Sequence, residues 1–133
     1  MGWRLAYGPD VGHWAATRLN SAYFDARSHA IGLERNGEIV AGIIYEQWNG
    51  KSITCHAVFD GRLTPAYLRE IFNYPFLVCG VNKMIAPVSS SNSKIMKLLD
   101  NMGFAEEARI KDAADGDIVF YTLARQDCRF LHE

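Results

Sequence analysis

The sequence predicts an α/β domain of the α+β kind, in which one mixed, mostly antiparallel sheet carries helices on both faces across residues 1–133. Three observations lead there. Two Asn-Gly pairs, Asn36-Gly37 and Asn49-Gly50, separate three apolar-rich runs, so a three-stranded meander joined by two-residue type I′ turns is expected. Two later segments open with a helix cap and continue with apolar residues at helical spacing. Between and after them lie short apolar runs of strand length. Elements in that order pack most economically as helices laid on a single sheet.

Taken in order, a short strand is expected around Trp3 to Tyr7. Val11, Trp14, Ala15, Arg18, Leu19 and Ala22 then suggest a helix from about 11 to 24. The meander follows as Ala30–Arg35, Glu38–Trp48 and Lys51–Phe59. Thr64-Pro65 reads as an N-cap followed by proline at N1, where its missing N–H costs nothing. Leu68, Ile71 and Phe72 form the apolar face of that helix, which should break near Tyr74-Pro75. Lys83–Val88 is a strand. In "SSSNSKIMKLLDNMGF", Ser89 to Phe104, a polar cap opens a helix whose apolar face is Ile95, Met96, Leu98, Leu99 and Met102, and Gly103 stops it. Phe104–Lys111 and Asp117–Ala124 read as two strands joined by the turn Asp112–Gly116. The tail from Arg125 to Glu133 either packs back on the domain or meets a second subunit, which leaves a homodimer open.

Composition excludes several classes. Fourteen Lys plus Arg against fifteen Asp plus Glu give a net charge of −1 without long runs of either sign. Neither nucleic acid nor an anionic membrane is called for. No apolar segment approaches the ~20 residues of a membrane span, so a soluble, cytoplasmic protein is expected. Cys55, Cys79 and Cys128 are odd in number and lack ligand spacing, so neither disulfides nor a metal is indicated.

The element order, with Asn92 followed by Gly103-Phe104 eleven and twelve residues later, resembles the GCN5-related N-acetyltransferase superfamily. The resemblance spans roughly residues 30 to 124. The tail "GDIVFYTLARQDCRFL" is also similar to small acyltransferase-like proteins of phages and prophages. What the resemblance implies is an acyl-CoA N-acyltransferase fold that takes acetyl-CoA as donor and an amine as acceptor. Met84–Ser89 would be the strand that parts from its neighbour to admit pantetheine.

The same resemblance assigns candidate roles. Val58 and Phe59 would orient the thioester through their amides. Gly61, Arg62, Leu63 and Thr64, with Ala66, would hold phosphate, although this segment has one glycine where the family has more, and Pro65 removes a donor. Asp60 would oppose that charge if it pointed inward. Ser89, Ser90, Ser91 and Asn92 form the opposite lip, where one residue caps the helix and the others are left for ligand. His56 or Glu46 would act as base; a half-buried strand histidine and a solvated glutamate fit the same positions. The family's usual tyrosine acid falls at Leu99, with Tyr121 and Tyr45 as substitutes. Trp14, Tyr23, Phe24 and Trp48 line either an acceptor cleft or the core. An acyltransferase and a binding module that has lost turnover on the same scaffold are the two functional readings.

Overall fold

Residues 2–19 and 27–131 are described by a computed structural model of the chain. Strands β2 (Ser28–Arg35) and β3 (Glu38–Glu46) pair antiparallel around Asn36 and Gly37, whose φ angles of 53° and 85° make the expected type I′ turn. The second Asn-Gly pair departs from expectation. Strand β4 (Ser52–Phe59) begins only after a loop of residues 47–51, in which Gln47 rather than Asn49 is left-handed, at φ 56°. The reason is local: the Asn49 carboxamide oxygen accepts the Lys51 and Ser52 amides, each at 2.8 Å, and this Asx-type turn replaces the tight hairpin.

Strand β1 (Trp3–Tyr7) borders β2, β5 (Lys83–Ser89) runs parallel to β4, and β6 (Ala105–Ala114) and β7 (Gly116–Ala124) complete the sheet. The seven strands lie in the order β1-β2-β3-β4-β5-β7-β6, and every pairing except β4–β5 is antiparallel.

Helix α1 (Pro9–Arg18) stops short of the expected residue 24, and Tyr23 and Phe24 lie outside the described residues. It buries Val11, Ala15 and Ala16 against the β2–β4 face. Two sheet glycines allow this close approach. A Cβ at Gly32 would lie 2.8 Å from Val11 Cγ1, and one at Gly42 would lie 3.3 Å from Ala15 Cβ.

Helices α2 (Pro65–Asn73) and α3 (Ser93–Met102) cover the opposite face, where Tyr67, Ile71, Leu99 and Met102 share a core with Ile31, Ile43, Met84 and Leu123. Both caps are as expected: Thr64 Oγ1 accepts the Tyr67 amide at 3.2 Å, and Asn92 Oδ1 accepts the Ile95 amide at 3.2 Å. Gly103, at φ 103°, ends α3, with the Phe104 amide on the Leu99 carbonyl at 3.0 Å.

The α-helix ends at Asn73, beside the expected break at Tyr74-Pro75, but the chain does not leave helical geometry there. Tyr74–Val78 continues as a π-helical turn, closed by the Cys79 amide on the Tyr74 carbonyl at 2.9 Å. Pro75 has no N–H to give the Ile71 carbonyl, and the buried Tyr45 hydroxyl donates to that carbonyl instead. The tail packs back on the domain: Phe130 stacks on Phe72 with centroids 4.8 Å apart, and Arg125 Nη1 donates to the Phe76 carbonyl at 2.9 Å. Among the described residues no helix is long and apolar enough to cross a membrane.

Candidate active site

The site begins where β4 and β5 part. They pair at Ser52–Lys83, Ile53–Met84 and Thr54–Ile85, and no further. In a parallel ladder of this phase the next bond would run from the N–H of residue 87 to the Cys55 carbonyl. Proline stands at 87, so that bond cannot form and the ladder ends.

The backbone groups left facing the gap follow from the pairing on the outer sides. The Asp60 amide donates to the Val40 carbonyl at 2.9 Å, which makes Val58–Gly42 and His56–Ile44 the bonded pairs of the β3–β4 ladder. Val58 therefore spends its N–H on β3. This corrects the expected pair of amides: Ala57 and Phe59 are the residues whose N–H groups face the gap. On β5 the Ser90 amide bonds the Asp117 carbonyl at 2.8 Å, so the same alternation turns Pro87 and Ser89 toward β4.

A cavity of about 490 Å³ occupies the gap and reaches both faces of the sheet. Strand alternation puts Thr54, His56 and Val58 on the α1 face and Cys55 and Phe59 in the core beneath α2 and α3. Glu46 and His56 both line the cavity and touch: Glu46 Oε2 lies 2.9 Å from His56 Nε2, each side chain 29% exposed. The two alternative bases are thus one pair. With Nε2 engaged by the carboxylate, Nδ1 is the ring nitrogen that this pair leaves for another partner.

The serine lip is more structural than expected. Ser90 Oγ accepts the Asp117 amide at 2.8 Å, and a Cβ at Gly116 would stand 2.5 Å from that oxygen. Ser89 Oγ donates to the Asp115 carbonyl at 2.5 Å and lies 2.9 Å from Ser91 Oγ. These contacts tie Ser89 and Ser90 to the β6–β7 turn, so both hydroxyls have a structural task. Ser89 and Asn92 still line the cavity.

The expected phosphate segment lacks one backbone donor. Pro65 has none, and Thr64 takes the Tyr67 amide with its side chain and the Leu68 amide with its carbonyl, at 3.0 Å. Gly61 is left-handed at φ 102° with open space at its Cβ position, and Arg62 is exposed. Asp60 points toward two cations: Oδ2 lies 3.7 Å from Arg18 Nε and Oδ1 4.0 Å from Lys94 Nζ. One carboxylate thus links α1, the β4–α2 loop and α3 beside the cavity mouth.

The remaining candidates fall elsewhere. Leu99 lines the cavity, whereas Tyr45 and Tyr121 are not among its walls. Burial holds the Tyr45 hydroxyl well above its ordinary pKa and raises that of Tyr121. Trp14 stacks under the Arg18 guanidinium at 4.0 Å, and exposed Trp48 donates from Nε1 to the Cys79 carbonyl at 3.1 Å. Among the described residues no three His, Cys, Asp or Glu side chains gather as metal ligands. The direction of the Ala57 amide was missed in the sequence, because it depends on ladder phase and not on residue type.

No family model matches the sequence, and no curated protein matches it significantly. Solved structures do match. The chain superposes on mutant forms of the spermidine/spermine N-acetyltransferase SpeG from Vibrio cholerae with a TM-score of 0.74 at 12% identity, over 94% of this chain and 96% of that one. The Campylobacter jejuni N-acetyltransferase PseH gives 0.64 at 17% identity, over 92% and 98%. Its complex with acetyl coenzyme A gives 0.59 at 22% identity, over 76% and 70%. The fold is that of the GCN5-related N-acetyltransferases, as the sequence resemblance implied.

Proposed function

We propose that this chain is an acyl-CoA-dependent N-acyltransferase, transferring in the simplest case acetyl from acetyl-CoA to a primary amine of a small molecule or protein. One observation carries the reading: a His56–Glu46 pair and the unpaired edges of β4 and β5 open onto the same cavity. The structural neighbours support it, since SpeG is a spermidine/spermine N-acetyltransferase and PseH has been seen with acetyl coenzyme A.

The pantetheine amides would lie along the gap, between Ala57 and Phe59 on one edge and Pro87 and Ser89 on the other. Phosphate would sit near Gly61, Arg62 and Leu63. The neutral amine attacks the thioester carbonyl carbon, and the C–N bond forms as the Ala57 and Phe59 amides receive the developing oxyanion. His56 Nδ1 takes the proton that nitrogen loses, while Glu46 stabilises the resulting imidazolium. The C–S bond then breaks with its electron pair on sulfur. Leu99 supplies no proton, so the thiolate leaves unassisted, as a thiol pKa of ~8.5 permits; the proton on His56 passes to it or to solvent.

The test is to follow the melting temperature of the protein with CoA and acetyl-CoA, since a ligand bound only by the folded state raises apparent stability. An upward shift with thiol release in the presence of an amine is expected. No shift at millimolar ligand overturns the proposal. A shift without thiol release for any amine in a broad panel supports the second reading, a binding module without turnover, which Leu99 and a phosphate segment with one glycine and Pro65 favour.

A further inference from the structure

At the Asp60 end of β4 a second hollow, of about 180 Å³, lies between the C-terminal end of α1 and the start of α3. It shares Arg18, Ala57, Phe59 and Asn92 with the wall of the larger cavity, so a ligand lying along the gap runs on into it. Arg18 and Lys94 are its cations, and Asp60 is the only acidic side chain among the described residues that line it.

One carboxylate serves these two cations poorly. Asp60 Oδ2 stands 3.7 Å from Arg18 Nε and Oδ1 stands 4.0 Å from Lys94 Nζ, both beyond hydrogen-bond length. The three side chains are between 44% and 68% exposed, so a solute can reach the space between them. Arg18 is held in place by the Trp14 ring, 4.0 Å below its guanidinium, while Lys94 brings a rotatable ammonium on a flexible stem. Donors from α1 and α3 thus converge on a separation too wide for a carboxylate to bond both. A diphosphate fits: it carries two negative charges and presents oxygens on two phosphorus centres, so it can accept from both cations at once.

We infer that Arg18 and Lys94 hold the diphosphate of the CoA donor, and that Asp60 is an internal counter-ion which the diphosphate displaces. The inference rests on the acyltransferase reading and deepens it, because both cations lie outside the β4–α2 segment. Side-chain charge from α1 and α3 then makes up for the backbone donor that Pro65 withholds. Asp60, 55% exposed, can turn its carboxylate into solvent when the anion arrives.

Calorimetry on the full chain with CoA, dephospho-CoA and pantetheine tests it, since dephospho-CoA keeps the diphosphate but lacks the 3′-phosphate and pantetheine lacks both. Arg18→Gln and Lys94→Gln should each weaken CoA and dephospho-CoA about tenfold, the size of a lost hydrogen bond to a charged group. Neither should alter pantetheine binding. Lys97→Gln, an equal change of charge at an exposed α3 residue outside the hollow, should leave all three ligands unaffected. Asp60→Asn should tighten CoA binding only while Arg18 and Lys94 are present. CoA binding that neither Arg18→Gln nor Lys94→Gln weakens overturns this inference and leaves the acyltransferase reading standing. So does a loss that extends equally to pantetheine, that is confined to CoA, or that Lys97→Gln reproduces. Failure of the parent chain to bind either CoA or dephospho-CoA overturns both.

Discussion

Glu46 Oε2 and His56 Nε2 meet at 2.9 Å across two neighbouring strands. Ile44 is the residue directly opposite His56, so Glu46 reaches the imidazole from the next same-face position of β3, a diagonal that the pleat brings within reach of long side chains. Acting as one unit, the pair should not give additive losses. His56→Ala is expected to lower kcat by about 10²–10⁴-fold. Glu46→Gln should cost less, and the double variant should be no worse than His56→Ala. Steady-state kinetics on all three variants decides this; full additivity would show that the two residues act separately.

Pro87 keeps the gap open by withholding an N–H. In Pro87→Ala a new amide faces the Cys55 carbonyl, and one more rung of the parallel ladder should form, worth about 0.5–1.5 kcal/mol. The variant is expected to melt at a higher temperature and to bind CoA more weakly. Hydrogen exchange at residue 87 reports the rung directly. Unchanged CoA affinity beside a protected amide would mean that the ligand does not use this edge.

Asp60 holds Arg18 and Lys94 beside the cavity mouth, where a ligand phosphate would compete with it. Asp60→Asn removes the competing charge and keeps the side-chain volume. Exposed pairs of this kind are worth about 0.2–1 kcal/mol, so CoA affinity should rise about two- to fivefold. The gain should shrink as salt is added and be missing for a pantetheine thioester without phosphates.

His29 stacks on Tyr74 with ring centroids 4.1 Å apart and lies near Tyr7, Tyr45 and Glu70. Burial lowers its pKa below the ordinary 6.5, with the Glu70 charge opposing in part. The folded state therefore refuses a proton that the unfolded chain accepts. Stability should fall as pH drops below about 6.5 and level off once the lowered folded-state pKa is passed. Melting temperatures between pH 7.5 and 5 should show a shallower decline for His29→Gln than for the parent; parallel curves would clear His29 of the effect.

The sequence by itself determined the features whose causes are local. Asn36-Gly37 can supply two left-handed residues, Thr64-Pro65 can cap and start a helix, and Asn92 with Gly103 can bound one, so these elements lie where the residues say. His56 and Glu46 were legible as candidates because few side chains move protons near neutrality.

Tertiary structure alone decided how the candidates meet. Whether an amide faces the gap or a neighbouring strand depends on ladder phase, which turns the Ala57 amide toward the gap and the Val58 amide toward β3. Ser90 looked available until the β6–β7 turn arrived from 27 residues away to use its hydroxyl. Pro75 marked the end of the α-helix, but the chain runs on as a π-helical turn, with Tyr45 filling the bond Pro75 leaves open. In each case the deciding partner is remote in sequence. A residue's chemistry is local, but the availability of its hydrogen bonds depends on which strand or turn the fold sets beside it.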